Sequence, residues 1–126
     1  MIGVKGISWL GVGTGDFESA VSFFTDILGL EVAAAGPEVA MLKAGPSQIV
    51  EIFGPASRGV TLTVPPVAAF EVDDVAAARD ALVAAGVETI GEVDAWNGFE
   101  WLYFRGPDRH VYAVKKTPPP GWEAGA

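Results

Sequence analysis

The chain contains no cysteine, which excludes a disulfide framework, a thiol nucleophile and a thiolate metal site. Its single histidine, His110, leaves carboxylates, hydroxyls and the backbone to carry most polar chemistry. Basic side chains are also scarce. Eight Lys and Arg face sixteen Asp and Glu, a formal charge of −8, which opposes counterion-release binding to phosphate backbones and makes nucleic acid a poor partner. No apolar run approaches the roughly 20 residues that span a bilayer, so no membrane partner is expected. The opening Met1-Ile2-Gly3-Val4-Lys5 has no signal-peptide pattern, and a soluble cytoplasmic protein is the expectation.

What is present is a globular composition. Half the 126 residues are apolar, punctuated by sixteen glycines and nine prolines, enough for one compact domain over 1–126. An apolar stretch from Ile7 to Thr14 reads as a strand buried on both faces. Thr14 or Asp16 can cap the helix that follows, in which Phe17, Ala20, Val21, Phe24, Ile27 and Leu28 recur at helical spacing up to Gly29. Three strands are predicted next, Leu30 to Ala35, Val39 to Lys43 and Gln48 to Phe53, with turns at Gly36-Pro37 and Gly45-Pro46.

The pattern then begins again. Val67 to Val72 reads as a strand, Asp73-Asp74 as a helix start, and Val75, Ala78, Leu82 and Ala85 as a helical stripe ending at Gly86. Strands follow at Val87 to Val93, Phe99 to Phe104 and Val111 to Lys115. Asp16 and Asp74, Ala20 and Ala78, Phe24 and Leu82, and Trp9 and Val67 are each 58 positions apart, as two copies of one supersecondary unit require. The expected layout is module one at 4–54, a linker at 55–66, module two at 67–116 and an irregular, proline-rich tail at 117–126. Trp122 in that tail should pack back on the body or against a second subunit.

Three segments resemble the glyoxalase, bleomycin-resistance and dioxygenase superfamily, also called the vicinal oxygen chelate superfamily. They are Asp16-Phe17-Glu18-Ser19-Ala20-Val21-Ser22-Phe23-Phe24 through Leu28-Gly29-Leu30, then Ala69-Phe70-Glu71-Val72-Asp73-Asp74-Val75, and Tyr103-Phe104-Arg105-Gly106-Pro107-Asp108. The resemblance implies an α+β fold of two tandem βαβββ modules, forming a curved, open-barrel mixed sheet around a cavity. It also implies a homodimer. In metal-dependent members, four side chains from the first and last strands of each module meet in that cavity. Those positions fall here at Trp9, Glu51, Val67 and Ala113, of which Glu51 alone keeps ligand chemistry. Zinc and iron sites usually take three or more protein ligands, so the expectation is no tight metal and no cofactor. His110 shares a strand face with Tyr112 and Val114, opposite Ala113, which puts it outside the cavity.

Glu51 in an apolar cup would suit general acid or base work, or would grip a cationic guest; alternatively, a hydroxyl or water satisfies it. Trp9 offers a flat surface for stacking or for a cation, or merely fills space left by a metal. Phe99, Trp101 and Tyr103 form one strand row, with Glu100, Leu102 and Phe104 on the other, and either row can face the cavity. The expected ligand-contact set is Trp9, Glu51, Val67, Trp101 and Ala113, with Glu51 as the catalytic candidate. Arg105 and Arg109 are expected to pair with Asp108 or with water, and Asp74 to cap a helix. The reading that follows is a metal-free protein binding an aromatic or amphipathic small molecule, either neutral or cationic, the latter in the manner of the antibiotic bound by bleomycin-resistance proteins. Its alternatives are an isomerase or lyase using Glu51 for proton transfer, with a weak metal or none, and a pure interaction partner.

Overall fold

A computed structural model describes residues 1–125; Ala126, the last residue of the expected tail, lies outside the described residues. The chain runs β1 (Ile7–Gly13), α1 (Phe17–Ser22), β2 (Glu31–Ala35), β3 (Val39–Gly45), β4 (Gln48–Phe53), β5 (Val67–Glu71), α2 (Val75–Ala84), β6 (Thr89–Trp96), β7 (Phe99–Arg105) and β8 (Val111–Lys116). The α+β order β-α-β-β-β occurs twice, as predicted. Residues divide into two compact units, one comprising 9–67 and the other 1–8 with 68–126. Among the described residues no helix is long and apolar enough to cross a membrane.

In the 9–67 unit the strand order is β2-β3-β4-β1, with β1 and β4 parallel and the other neighbours antiparallel. The 68–126 portion repeats this as β6-β7-β8-β5, with β5 and β8 parallel. Each βαβ crossover lays its helix on one face of its own sheet. In the first unit Ala40, Leu42, Val50 and Ile52 form the buried cluster against Phe17, Ala20, Val21 and Phe24 of the helical segment. In the second, Leu102 and Val114 pack with Val72, Val75, Ala78 and Leu82. Strand side chains alternate, so these contacts also identify which residues point away from the helix.

Both helices start on an aspartate at equivalent positions. Asp16 accepts from the Ser19 amide at 3.1 Å and Asp74 from the Ala77 amide at 3.0 Å, each filling one of the unpaired donors at a helix N-terminus. Thr14 supports Asp16 rather than capping the helix itself, accepting from the Asp16 amide.

The first helix departs from expectation at its end. Phe23–Ile27 is a π-helical turn, closed by the Leu28 amide donating to the Phe23 carbonyl. The wider turn rotates the following residues off the buried stripe, which leaves Ile27 and Leu28 exposed although their spacing fits an α-helical core face. Gly29 and Gly86 then end their helices with φ of +76° and +79°, the left-handed conformation expected of them.

Candidate functional site

The helix-facing residues of β1 are Leu10 and Val12, and those of β4 are Val50 and Ile52. Trp9, Gly11 and Gly13 on β1, with Ile49, Glu51 and Phe53 on β4, therefore line the opposite face. Parallel pairing sets Trp9 beside Ile49 and Gly11 beside Glu51. Gly11 has no side chain, and the Trp9 ring leans along the strand into the space left above it. A Cβ at Gly11 would lie 2.7 Å from Trp9 Cζ3 and 2.8 Å from Thr63 Cγ2. That lean carries the indole to the register partner of Gly11. Trp9 Nε1–H donates to Glu51 Oε1 at 2.9 Å.

The far end of this face is roofed by the chain between the modules. A Cβ at Gly13 would meet Thr63 Oγ1 and the Val60 carbonyl, each at 2.7 Å, so β1 can accept this segment only as glycine. Thr63 sits in a short 3-10 turn, Thr61–Thr63, that the linker's composition did not signal; its hydroxyl donates to the Gly59 carbonyl at 2.7 Å. Phe53 meets the Trp9 ring at 6.2 Å and 60°. Trp9 is only 8 % exposed, and an indole can be buried so deeply because its one polar atom is bonded.

The remaining expected site residues divide between the units. Val67 opens β5 and is buried hydrocarbon. Ala113 is buried in the middle of β8, registered with Ala69 and Tyr103. Leu102 and Phe104 pack on the α2 side, so the row Phe99, Trp101 and Tyr103 faces away from that helix, while Glu100 shares parity with Leu102. Trp101 thus lies on the Ala113 face, half-buried, and Glu100 does not add a second carboxylate there.

Other polar candidates are local. His110 is exposed, 3.6 Å from Asp108. Arg105 and Arg109 both turn to Glu88, at 3.5 and 3.2 Å, rather than to the expected Asp108. Asp108 is engaged by the Tyr112 hydroxyl at 2.6 Å, which holds its carboxyl below the usual range with help from the His110 amide, and pushes the Tyr112 phenol up. Asp73 pairs with Lys5, whose ammonium is raised mainly by that hydrogen bond.

One buried group escaped sequence reasoning. Lys115 in β8 is 4 % exposed, on the Ala113 face. Its ammonium donates to Thr117 Oγ1 at 2.8 Å and reaches Ser8 Oγ at 3.5 Å. Both hydroxyls donate onward to Glu71 Oε1, at 2.7 Å from Ser8 and 2.8 Å from Thr117, and the Thr117 amide donates to Oε2. A buried cation and a carboxylate are thus linked through two hydroxyls, each accepting from one and donating to the other. The signal was a lysine at the strand parity of a buried alanine.

The model of the glyoxalase/bleomycin resistance protein/dioxygenase superfamily matches residues 6–114. The chain belongs to that superfamily. No curated protein matches it. Among solved structures, methylmalonyl-CoA epimerase from Mycobacterium tuberculosis superposes with a TM-score of 0.73 at 19% identity, over 98% of this chain and 93% of that one. The Mn(II)-bound glyoxalase from Novosphingobium aromaticivorans gives 0.71 at 25% identity, over 92% of this chain and 40% of that one. A Streptomyces coelicolor methylmalonyl-CoA epimerase variant in complex with 2-nitronate-propionyl-CoA gives 0.74 at 18% identity, over 91% and 99%.

A divalent metal of the kind that some of the superfamily carry does not fit this donor set. Val67 and Ala113 are hydrocarbon, Trp9 spends its nitrogen donating a hydrogen bond, and a lone Glu51 falls short of the three or more ligands such ions take. Among the described residues no group of three His, Asp or Glu side chains is placed to hold one.

Proposed function

We propose that the protein is a metal-free small-molecule binding protein and that Trp9 and Glu51 form its recognition pair, for an aromatic or amphipathic cation. The observation that carries this is the 2.9 Å bond from the Trp9 indole to Glu51. An indole N–H is neutral, so it orients the carboxylate without adding a positive charge to it. A ring and an anion held in one arrangement suit a flat cation, which gains from the π-face and the carboxylate together. Superfamily membership supports a small-molecule ligand, and Phe53, 6.2 Å from the Trp9 ring, adds apolar surface on the same unit. The proton-transfer alternative asks Glu51 to take a proton from a substrate. Its Oε1 is already engaged by the indole N–H, which favours binding over catalysis.

The test uses a charged and a neutral probe of one shape, N-methylquinolinium and quinoline, titrated calorimetrically at neutral pH. Glu51→Gln keeps the hydrogen-bond acceptor and removes the charge; it should weaken the cation about tenfold or more and leave quinoline within about twofold. Trp9→Ala should abolish binding of both. Equal affinity for the cation in wild type and both variants would overturn the reading.

A further inference from the structure

Large apolar side chains stand in solvent along one short stretch of the 9–67 unit: Phe23 at 49 % exposure, Ile27 at 71 %, Leu28 at 54 % and Val32 at 50 %. Three of them belong to the π-helical turn, where the bond from the Leu28 amide to the Phe23 carbonyl sets Ile27 and Leu28 one turn beyond Phe23. The Leu30 amide then bonds the Phe24 carbonyl at 2.9 Å, so the turn passes directly into β2. Val32 of β2 registers with Leu42, which packs beneath the helical segment, and residues opposite each other in an antiparallel pair share a face. The turn and Val32 thus form an apolar ledge on the helix side of the sheet at its β2 margin.

β2 is the outer strand of that sheet, and its sequence Glu-Val-Ala-Ala-Ala contains neither of the residues, lysine and proline, that commonly guard a free margin. Its one charge is at the first position. β6, the outer strand of the other unit, carries Glu92 and Asp94 within its length.

Self-pairing of β2 must set same-face residues opposite one another. Glu31 and Ala34 register with Lys43 and Met41, which by alternation point away from the helix, whereas Ala35 registers with the helix-facing Ala40 and Leu30 packs on the helix side. The bulge between Val32 and Ala34 therefore makes the faces agree when Glu31 lies opposite Ala34 and Leu30 opposite Ala35, about a two-fold axis between Val32 and Ala33. An axis at Ala33 would instead set Glu31 against Ala35, on opposite faces. In the agreeing register each Glu31 meets an alanine, and no like charges oppose each other in the strand pair. At roughly 150–250 Å² for a large side chain, the ledge exposes roughly 400 Å² of apolar surface per copy, about half of the ~800 Å² per partner in a stable interface. The paired strands supply further area.

We propose that this margin joins two copies of the chain: β2 pairs antiparallel with β2 of a second copy in that register, and the two ledges close the helix side of the joint. The inference stands independently of any role for Trp9 and Glu51.

Sedimentation velocity on the full chain tests it. The expected result is a monomer–dimer equilibrium with Kd of about 10 µM, mostly dimer at about 100 µM. Ile27→Asp, at the most exposed of the four positions, should raise Kd about tenfold or more. Val83→Asp, at an apolar position 52 % exposed on α2, should leave it within about twofold. Register is read by Glu31→Cys/Ala34→Cys in a chain that has no cysteine of its own. Three residues apart in one strand, the two thiols lie about 10 Å from each other and cannot bridge, so mild oxidation joins separate copies and gives a covalent dimer on a non-reducing gel. Glu92→Cys/Ala95→Cys places the same spacing on β6 and should give little. A wild type that is monomeric at about 100 µM overturns the proposal and leaves the ledge to a different molecule. An Ile27→Asp protein as dimeric as wild type overturns it too, as do β2 thiols that cross-link no more than those on β6. The wild-type measurement stands even where a variant fails to fold.

Discussion

The seat of Trp9 over Gly11 makes a sharp prediction for Gly11→Ala. The Gly11 backbone lies outside the left-handed region, so alanine brings no conformational penalty and only the added methyl acts. That methyl would fall within 2.8 Å of both the Trp9 ring and Thr63 Cγ2, distances that require something to move. Thr63 is buried and tied to the Gly59 carbonyl, so it can give only slightly and the indole must take up most of the shift. Overpacking of this kind costs ~1–3 kcal/mol, and withdrawing the N–H from a carboxylate costs a further ~1.5–3 kcal/mol, part of which water recovers. We expect a net loss of about 3 kcal/mol. With an unfolding entropy of ~2.1 cal/mol/K per residue, this lowers Tm of the 126-residue chain by about 11 °C. Differential scanning calorimetry measures that drop, and the Trp9 indole proton in an NMR spectrum should move upfield as its hydrogen bond lengthens. The same substitution in a Trp9→Leu background should cost about 1–2 kcal/mol less, because the clash with the ring is gone and only that with Thr63 Cγ2 remains. A Gly11→Ala protein melting within about 2 °C of wild type, with the indole proton unmoved, would refute the reasoning.

Two further perturbations test other parts of the molecule. Lys115→Met leaves the partly buried Glu71 with its hydroxyl donors but without the cation they lead to, and should destabilise the fold by ~1–3 kcal/mol in urea titrations; a change below ~0.5 kcal/mol would show that the hydroxyls alone satisfy the site. Tyr112→Phe should raise the Asp108 titration midpoint, followed by carboxyl carbon NMR, since the phenol is the main cause of its lowering. Because the folded Asp108 value is depressed, its contribution is present above the unfolded value and lost as pH falls through the folded one. The phenol's value is raised, so its contribution is lost in the alkaline range as pH rises through the folded value. An unmoved Asp108 midpoint in the variant would discount the bond.

Much of the fold was legible because its punctuation is local. Asp16 and Asp74 cap by short-range geometry, Gly29 and Gly86 end their helices by a backbone preference, and the 58-residue offset places both modules before any long-range contact is known. The π-helical turn at Phe23–Ile27 was not legible, because α and π spacing differ by one residue per turn and the apolar stripe Phe24, Ile27 and Leu28 suits the commoner form. The direction of the aromatic row was undecidable for a different reason. In β7 both rows are apolar enough to be core, and only the packing of Leu102 and Phe104 against α2 sends Phe99, Trp101 and Tyr103 the other way.

The same parity argument explains why two polar arrangements, one in each unit, differed in legibility. Glu51 stands out in β4 because it interrupts an apolar run, and one register relation to Gly11 then suffices to bring Trp9 to it. Lys115 interrupts β8 just as visibly, but its partners Ser8, Glu71 and Thr117 come from three other segments, as far as 107 residues away. A strand pattern shows which face a charge occupies; it does not show that two hydroxyls arrive there to bridge it. A buried lysine in a last strand is therefore a reason to look for hydroxyls at the ends of neighbouring strands. Here Ser8 near the start of β1 and Thr117 just beyond β8 fill that role, and through Thr117 the buried charge also anchors the tail that carries Trp122 to Phe99.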